Sequence, residues 1–314
     1  WTIDETSLTV RDGVLGRVLW QRDFENSIKS VVPAPWDHRE LLIAIDRERP
    51  GGGRLFCVNR RDGQIRWELL PDRDSMVRAF GEEIVDEGTL HFHDIKIVNY
   101  GPIGTRTALA MYRHFPNYPQ AILEVTADGN VRRQYLSKGY LTSVIDVDLD
   151  GDGRQELLLA GTNNSRDLLA ATLIVLDEDH FAGGTIDSLC DCPGLGTLPD
   201  SSKIRLAIPP MPEPVMAAMN LHRFSAYRTR VFEGPDGRML ITFHIGEFEN
   251  NLHRMIVTVD HELRPISVKP TETFAAHIRA NWPDSLQDEG PLDPRWLADW
   301  LDGYVRFEVG QRMP

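Results

Sequence analysis

Short apolar runs separated by turn residues recur along the whole chain. Glu40–Asp46 is a nearly continuous apolar run, and Pro50–Gly53 after it suits a flexible hairpin tip. Apolar runs of this length between turns are typical of strands that are buried on both faces. Further strands are predicted at Thr89–Asn99, Ala108–Tyr112, Ala121–Val125, Val131–Tyr135, Glu156–Gly161, Ala171–Asp177, Ile204–Ile208, Gly237–Ile245, Met255–Asp260 and Pro265–Val268. The pattern predicts an all-β fold in which four strand-rich units follow an incomplete first one.

The C-terminal part changes from strands to a helix. Asp293 suits a helix N-cap, Pro294 suits the first helical position, and Gly303 suits the end of the helix. Four apolar residues fall on one face of this helix: Trp296, Leu297, Trp300 and Leu301. After the helix, Tyr304–Val309 alternates like a strand, and we expect it to complete the first sheet and so cover an exposed edge.

The composition agrees with this fold class and limits the partners. The 314 residues suffice for one large or two ordinary domains, and the 25 glycines and 20 prolines are spread along the chain as frequent turns require. A formal net charge of −13 argues against nucleic acid and anionic membrane surfaces, because both attract clustered Lys and Arg. Since the chain has no apolar stretch of about 18 residues, we expect no direct insertion into a membrane.

The N-terminus and the cysteines bear on where the protein resides. The chain begins at Trp1 without a Met or a signal peptide, which predicts a processed product or a fragment of a longer protein. The three cysteines, Cys57, Cys190 and Cys192, leave the redox compartment open, because an odd number leaves at least one thiol free. Cys190 and Cys192 are also too close in sequence for an easy disulfide.

The segment 146–156 concentrates negative charge in a turn. Its five carboxylates belong to Asp146, Asp148, Asp150, Asp152 and Glu156. Carboxylates this close repel one another unless a cation lies among them, and Ca²⁺ prefers six to eight oxygen ligands. Alternating acids interrupted by glycines therefore predict a calcium-binding loop.

The spacing assigns a place to each ligand. If Asp148 is position 1, the residues at positions 3, 5, 7 and 9 are Asp150, Asp152, Arg154 and Glu156, with Arg154 contributing its carbonyl. Asp146 precedes position 1, and it either joins the ligands or caps the loop.

The same spacing argues against an EF-hand. An EF-hand needs its closing Glu at position 12, where this chain has Leu159 or, counted from Asp146, Leu157. The residues that follow Glu156 form a short aliphatic run that ends at Gly161. We therefore expect the loop to lead into a buried strand rather than a helix.

Two stretches resemble known repeat families. Asp148–Leu157 resembles the D-x-D-G-D-G-x-x-[DE]-[LI] signature of FG-GAP/VCBS repeats, the calcium-bearing units of integrin-type β-propellers. Arg54–Glu68 is similar to the PQQ-like (quinoprotein-type) propeller repeat, and its ending Ile65-Arg66-Trp67 echoes Val18-Leu19-Trp20 some 47 residues earlier. Both resemblances imply four-stranded blades around a channel.

The resemblances turn the all-β prediction into a specific architecture. They imply that residues 1–314 form a single β-propeller domain of about five to seven four-stranded blades, with a short C-terminal helix and with the ring closed by the chain ends. In PQQ-like repeats the tryptophan packs between neighbouring blades, so this role is implied for Trp20 and Trp67; a carbohydrate platform is the alternative.

One further pair of side chains could carry chemistry. His91 and His93 are two residues apart on a predicted strand, so both imidazoles face the same side. Such a pair is either part of a metal site or two hydrogen-bonded side chains, and the sequence leaves both open.

No catalytic motif accompanies these features. The sequence contains no Gly-x-Ser-x-Gly, Walker loop, Gly-x-Gly-x-x-Gly or His-Glu-x-x-His. We therefore expect a non-catalytic, extracytoplasmic recognition, sensor or protein-interaction module with a structural Ca²⁺, anchored by an N-terminal segment outside this sequence. Its ligand would be a protein or a carbohydrate on a propeller face.

Two alternatives stay open. The first is an enzyme on a propeller scaffold, either a PQQ-dependent dehydrogenase or a polysaccharide-active protein. A quinone enzyme of that family would be expected to show more complete repeats. The second alternative is a structural scaffold for assembly.

Overall fold

The chain forms antiparallel sheets in two compact units. The structure, a computed structural model, describes residues 1–46, 53–82, 85, 90–102, 104–114, 118–163, 170–181, 183–184, 202–208, 225–246, 254–281, 300 and 303–308. The first unit comprises Trp1–Lys138 and a short segment that starts at Phe181, and the second comprises Gly139–His180 and the described part of Asp200–Pro314.

Strands account for most of the described chain, and two short helices interrupt them. The strands are β1 (Thr2–Asp4), β2 (Ser7–Arg11), β3 (Val18–Asp23), β4 (Ile28–Pro33), β5 (Glu40–Ile45), β6 (Arg54–Asn59), β7 (Ile65–Leu69), β8 (Leu90–Asn99), β9 (Gly101–Pro102), β10 (Arg106–His114), β11 (Gln120–Val125), β12 (Val131–Ser137), β13 (Tyr140–Val147), β14 (Arg154–Thr162), β15 (Ala171–Leu176), β16 (Gly183–Gly184), β17 (Ile204–Ile208), β18 (Ser225–Glu233), β19 (Met239–Gly246), β20 (Arg254–Asp260), β21 (Pro265–Pro270) and β22 (Val305–Glu308). The helices are α1 (Arg73–Phe80) and α2 (Glu272–Asn281).

The first unit contains three sheets. Sheet 1 has the order β1-β2-β3, sheet 2 the order β4-β5-β6-β7, and sheet 3 the order β8-β10-β11-β12-β16. Neighbouring strands are antiparallel except β12 and β16, which are parallel. Every residue of β5 and of β11 is buried, whereas β7 is partly exposed. Continuous apolar runs therefore mark the inner strands of these sheets, as expected for strands covered on both faces.

The second unit contains two sheets that share one core. Sheet 4 runs β13-β14-β15-β17-β22, and sheet 5 runs β18-β19-β20-β21. Alternate side chains of both sheets form a buried cluster that includes Leu158, Leu173, Phe243 and Val257. Phe274 of α2 and Trp300 pack into the same cluster.

Two tryptophans join consecutive sheets of the first unit in the same way. Trp20 of sheet 1 donates its indole N–H to the Arg60 carbonyl at 2.8 Å, and Trp67 of sheet 2 donates to the Ala127 carbonyl at 2.9 Å. Each ring lies over the glycine of the turn that it reaches, Gly63 and Gly129 respectively. Both glycines have positive φ and lack the Cβ that would collide with the ring. The packing role implied for these tryptophans is thus the observed one.

Most of the sequence-based strand assignments are confirmed. The structure shows an all-β fold with five blade-like antiparallel sheets, and strands such as Ile204–Ile208 have the bounds expected from the pattern. The sequence pattern did not reveal β1, β2, β4, β9, β13 and β16, nor the positions of both helices. Grouping of the whole chain into one domain stays a prediction. No helix within the described ranges is long and apolar enough to cross a membrane.

The expected partner of the last strand is wrong. Val305–Glu308 does not complete sheet 1 but pairs antiparallel with β17, with Val305 opposite Ala207 and Glu308 opposite Ile204. Alternation in a sequence predicts that a strand exists, but backbone hydrogen bonding can join it to any free edge that tertiary folding brings near. Ring closure by this strand therefore does not occur through sheet 1.

The predicted helix after Asp293 falls mainly outside the described residues. Trp300 is helical and buried, and the Gly303 N–H donates to the Trp300 carbonyl at 3.2 Å in a turn. The short helix that the structure does show in the C-terminal part is α2.

Gly129→Ala should destabilise the protein more than Gly16→Ala. Both glycines have positive φ, so either substitution adds strain of about 1–2 kcal/mol. A Cβ at Gly129 would also lie 2.7 Å from the Trp67 ring, whereas a Cβ at Gly16 meets nothing within 4 Å. The overpacking should add roughly 1–3 kcal/mol, measurable as the free energy of unfolding in urea. Equal losses for the two variants would contradict the proposed role of the tryptophan contact.

Candidate metal centre

The acidic loop connects two neighbouring strands of sheet 4. Residues 148–153 lie between β13 and β14, and the last pair of the ladder places Val147 opposite Glu156. Gly151 and Gly153 have φ of 78° and 86°, a backbone region that side chains disfavour. The glycines of the motif therefore permit the turn, and the strand that follows Glu156 is the buried one expected.

Backbone N–H groups hold the carboxylates of the loop. The two oxygens of Asp148 accept from Gly151 at 2.7 Å and from Gly153 at 3.0 Å. Asp150 accepts from the Asp152 N–H at 3.2 Å, and Asp152 accepts from the Arg154 N–H at 2.7 Å. These hydrogen bonds between residues two to five apart in the chain fix the turn and orient its aspartate side chains.

Three carboxylates converge at one point. Asp148, Asp150 and Glu156 each offer one oxygen, and these oxygens all lie within 4.8 Å of one another. Glu156 is 2% exposed, and its Oε2 accepts the Leu149 N–H at 2.8 Å. Leu149 is itself buried in the core of the second unit, so the core holds the loop in place.

A lysine from a distant part of the chain reaches this group. The ammonium of Lys203 lies 2.8 Å from Asp150 Oδ2 and 3.3 Å from Glu156 Oε1. It also lies 3.8 Å from Asp177 Oδ2. Neither Lys203 nor Asp177 was predicted as a site residue. No local signal could have found Lys203, since 53 residues separate it from Asp150.

The charges shift one another as this geometry requires. The hydrogen bond from Lys203 lowers the pKa of Asp150, although partial burial opposes it. Burial raises the pKa of Glu156, and the Leu149 N–H and Lys203 work against that increase. Burial acts to lower the pKa of Lys203, but its bonds to Asp150 and Glu156 prevail and raise it. Lys203 is therefore a full positive charge at neutral pH.

The other predicted ligands have different surroundings. Asp152 does not belong to the converging group among the described residues, and Arg154 directs its guanidinium to Glu178 at 3.1 Å. Asp146 lies within β13 opposite Leu157. Their assignment as ligands stays a prediction.

The converging residues fit a hard cation. Ca²⁺ is bound through carboxylate and carbonyl oxygens, and each carboxylate oxygen that accepts one N–H retains a further lone pair. Asp148, Asp150 and Glu156 would hold the ion, and the bound Ca²⁺ would supply positive charge to neutralise them. The role of the ion would thus be to stabilise the loop.

The two histidines of β8 both have protein partners. A register shift in the pairing of β8 with β10 places Phe92 opposite Tyr112 and Asp94 opposite Met111, so His93 lies at a bulge. Arg113 Nε donates to His91 Nε2 at 3.2 Å, and Gln120 Nε2 lies 3.1 Å from His93 Nε2. These contacts favour the hydrogen-bonded interpretation of the pair.

A buried carboxylate in sheet 2 is also bound by the protein. Glu40 accepts from the Trp36 indole at 2.8 Å and from the Cys57 thiol at 3.5 Å, and it lies 3.2 Å from the Arg66 guanidinium. Burial, together with the charge of Glu40, raises the pKa of Cys57 to about 12. The thiol therefore stays protonated at neutral pH and is a poor nucleophile.

No family model and no curated protein matches the chain. Solved structures do show similarity. The Dos1 propeller has 12% identity and a TM-score of 0.48 over 84% of this chain and 53% of that one. The C-terminal domain of PilY1 from Pseudomonas aeruginosa has 12% identity and a TM-score of 0.45 over 83% of this chain and 56% of that one.

A third similar structure is the β-propeller domain of Cps50 (Swd1) from Myceliophteria thermophila. It has 12% identity and a TM-score of 0.42 over 85% of this chain and 68% of that one. The matched region thus spans only about half of the Dos1 and PilY1 chains. None of these similarities bears on function.

His93→Gln should reduce the loss of stability in acid. Burial, with Arg113 nearby, lowers the pKa of His93 from its usual 6.5 to about 3. Between these values the unfolded chain takes up a proton that the folded protein does not, so stability falls as pH decreases from about 6.5. The largest slope for one group is about 1.4 kcal/mol per pH unit.

The measurement is the free energy of unfolding in urea at several pH values from about 7 to about 4. His38→Gln is the matched control, because the His38 side chain is 87% exposed. If the slope of His93→Gln equals that of the parent, the imidazole of His93 is not what resists protonation.

Proposed function

We propose that this chain is a non-catalytic recognition module on a propeller-type scaffold, and that Ca²⁺ at the acidic loop stabilises its second unit. The observation that carries the proposal is the convergence of Asp148, Asp150 and Glu156 at the end of the β13–β14 hairpin. The resemblance of Asp148–Leu157 to FG-GAP/VCBS repeats supports the same assignment.

Calcium would act on the stability of the hairpin. Three carboxylates that share one small volume repel one another, and a divalent cation among them turns this repulsion into attraction. Asp152 and the carbonyl of Arg154 would complete the ligands, and Asp146 would join them or cap the loop. Because Glu156 lies near the start of β14, ordering of the loop would be transmitted to the ladder of sheet 4.

The first sheet offers a surface for a protein partner. Large apolar side chains that are exposed concentrate here, and Val14 and Leu15 are 91% and 63% exposed. The remaining members of this surface are Trp1, Ile3, Val18 and Leu19. Where such exposed apolar side chains adjoin, they can form an interaction site. The net charge of −13 favours a protein over a nucleic acid, and a carbohydrate ligand is the alternative.

A location outside the cytoplasm follows from the proposed metal. Calcium sites of extracellular modules work with dissociation constants of about 0.1–1 mM, a range in which cytosolic calcium would not fill them. An extracytoplasmic module, anchored by a segment outside this sequence, would meet calcium at concentrations that can fill such a site.

The buried reactive groups support a role without catalysis. Cys57 stays protonated, His93 stays neutral, and Glu40 is bound by three side chains. Each of these groups serves a hydrogen-bonded core in the first unit. The alternatives are an enzyme on the same scaffold, which the PQQ-like resemblance suggests, and an assembly scaffold.

Calcium should raise the melting temperature of the parent protein. A ligand that binds only the folded state stabilises it by RT ln(1 + [L]/Kd), which is about 1.4 kcal/mol at about ten times its dissociation constant. For a chain of this length the increase amounts to a few degrees. Because Mg²⁺ is smaller and retains its water molecules, it should substitute poorly. The measurement compares melting curves in excess chelator, in millimolar Ca²⁺ and in millimolar Mg²⁺.

Asp150→Ala should abolish this calcium response. The matched control is Asp236→Ala, which also changes an exposed aspartate in a hairpin turn of the second unit and should respond like the parent. Equal melting temperatures of the parent with chelator and with Ca²⁺ would refute the calcium proposal. A full response in Asp150→Ala would show that the ion binds elsewhere.

The protein should not oxidise alcohols when PQQ and Ca²⁺ are added. The physical reason is that Cys57, His93 and Glu40 are each bound by neighbouring side chains of the protein. Steady-state assays with a dye acceptor, an alcohol series and the quinone provide the measurement. Saturable turnover that depends on the quinone would favour the enzyme alternative.

A further inference from the structure

A positive charge of the chain itself contacts two of the carboxylates that would bind a cation at the acidic loop. Two of the three converging carboxylates, Asp150 and Glu156, lie within 3.3 Å of the Lys203 ammonium. Asp177 adds a third carboxylate at 3.8 Å. The ammonium thus shares two carboxylates, Asp150 and Glu156, with the group that would bind Ca²⁺, and it supplies a counter-charge to them.

The pairing of β17 with β15 places Lys203 at the acidic loop. Lys203 directly precedes β17, and its N–H donates to the Val175 carbonyl of β15 at 2.9 Å. The next residue, Ile204, pairs with Val175 in the ladder. β15 also pairs with β14, and Glu156 is the third residue of β14. The sheet register therefore brings Lys203 to the acidic loop.

The contact between Lys203 and Glu156 is partly shielded from water. The Lys203 side chain is 29% exposed, and that of Glu156 is 2% exposed. Ion pairs at fully exposed positions contribute little, but pairs with a buried partner are screened much less. Removal of one member would leave Glu156 buried without its cation, which is the costly case.

We propose that Lys203 is the resident counter-cation of the acidic loop: its ammonium holds the loop without metal, and Ca²⁺ binds only by displacing it. The competition part rests on the calcium function proposed above. A Ca²⁺ bound by Asp150 and Glu156 would lie a few ångströms from the ammonium, and two positive charges at that distance repel strongly. The calcium affinity of the parent is therefore reduced by the energy needed to move the lysine away.

Lys203→Met separates the two roles. The variant keeps an apolar stem and loses the charge, so in excess chelator it should melt roughly 3 °C or more below the parent. In titration calorimetry it should bind Ca²⁺ about tenfold more tightly or better, because no ammonium has to leave. Millimolar Ca²⁺ should then restore most of its lost melting temperature.

Lys269→Met is the matched control. Lys269 is exposed on β21 of the same unit, so this variant changes the net charge equally and should match the parent in both measurements. If Lys203→Met does not fold in chelator, Lys203→Gln, which keeps a hydrogen-bond donor, takes its place in both measurements. Tighter Ca²⁺ binding by Lys203→Gln than by the parent would support the proposal, and equal or weaker binding would refute it.

The outcomes distinguish this inference from the calcium proposal. If Lys203→Met melts lower in chelator but neither protein binds Ca²⁺, the lysine is the counter-cation and the calcium function fails. If the parent binds Ca²⁺ but Lys203→Met equals it in melting temperature and in affinity, the calcium function holds and the role of Lys203 is refuted. Weaker Ca²⁺ binding by Lys203→Met would also refute it.

Discussion

Like charges crowded at the end of one hairpin set the main constraint on the second unit. Asp148, Asp150 and Glu156 bring their oxygens within 4.8 Å of one another, and Glu156 is almost fully buried. A positive charge must lie close to them, because an unpaired buried carboxylate costs several kcal/mol. The β13–β14 ladder and buried Leu149 hold the loop in place, and Lys203 before β17 supplies a positive charge to it.

In the first unit, a tryptophan contact that occurs twice joins neighbouring sheets. Trp20 and Trp67 each cross to the turn of the next sheet, bind a carbonyl there and lie over a glycine with positive φ. Arg133 is the third residue of β12, the position that Trp20 and Trp67 have in β3 and β7, so sheet 3 has no tryptophan at this position. Stacking of sheets in this unit therefore combines burial of continuous apolar strands with two specific hydrogen bonds, and the specific bonds set which turn meets which ring.

The metal and the lysine are two solutions to the same electrostatic problem. Ca²⁺ offers two charges and takes six to eight oxygens, whereas an ammonium offers one charge and three donors. A loop that carries its own ammonium stays folded when calcium is scarce and gains less when calcium is abundant. On this proposal, the acidic loop would give a modest and reversible response to calcium.

The sequence by itself determined much of the local structure: most strand positions, the all-β class and the turn at the acidic loop. These follow from interactions between residues close in the chain, such as the alternation along Met239–Gly246 or the N–H groups that Asp148 binds within five residues. Tertiary structure alone decided that Val305–Glu308 pairs with β17 and that Lys203 meets Asp150. A strand edge accepts any partner and a lysine any carboxylate, so only the path of the chain in space selects them.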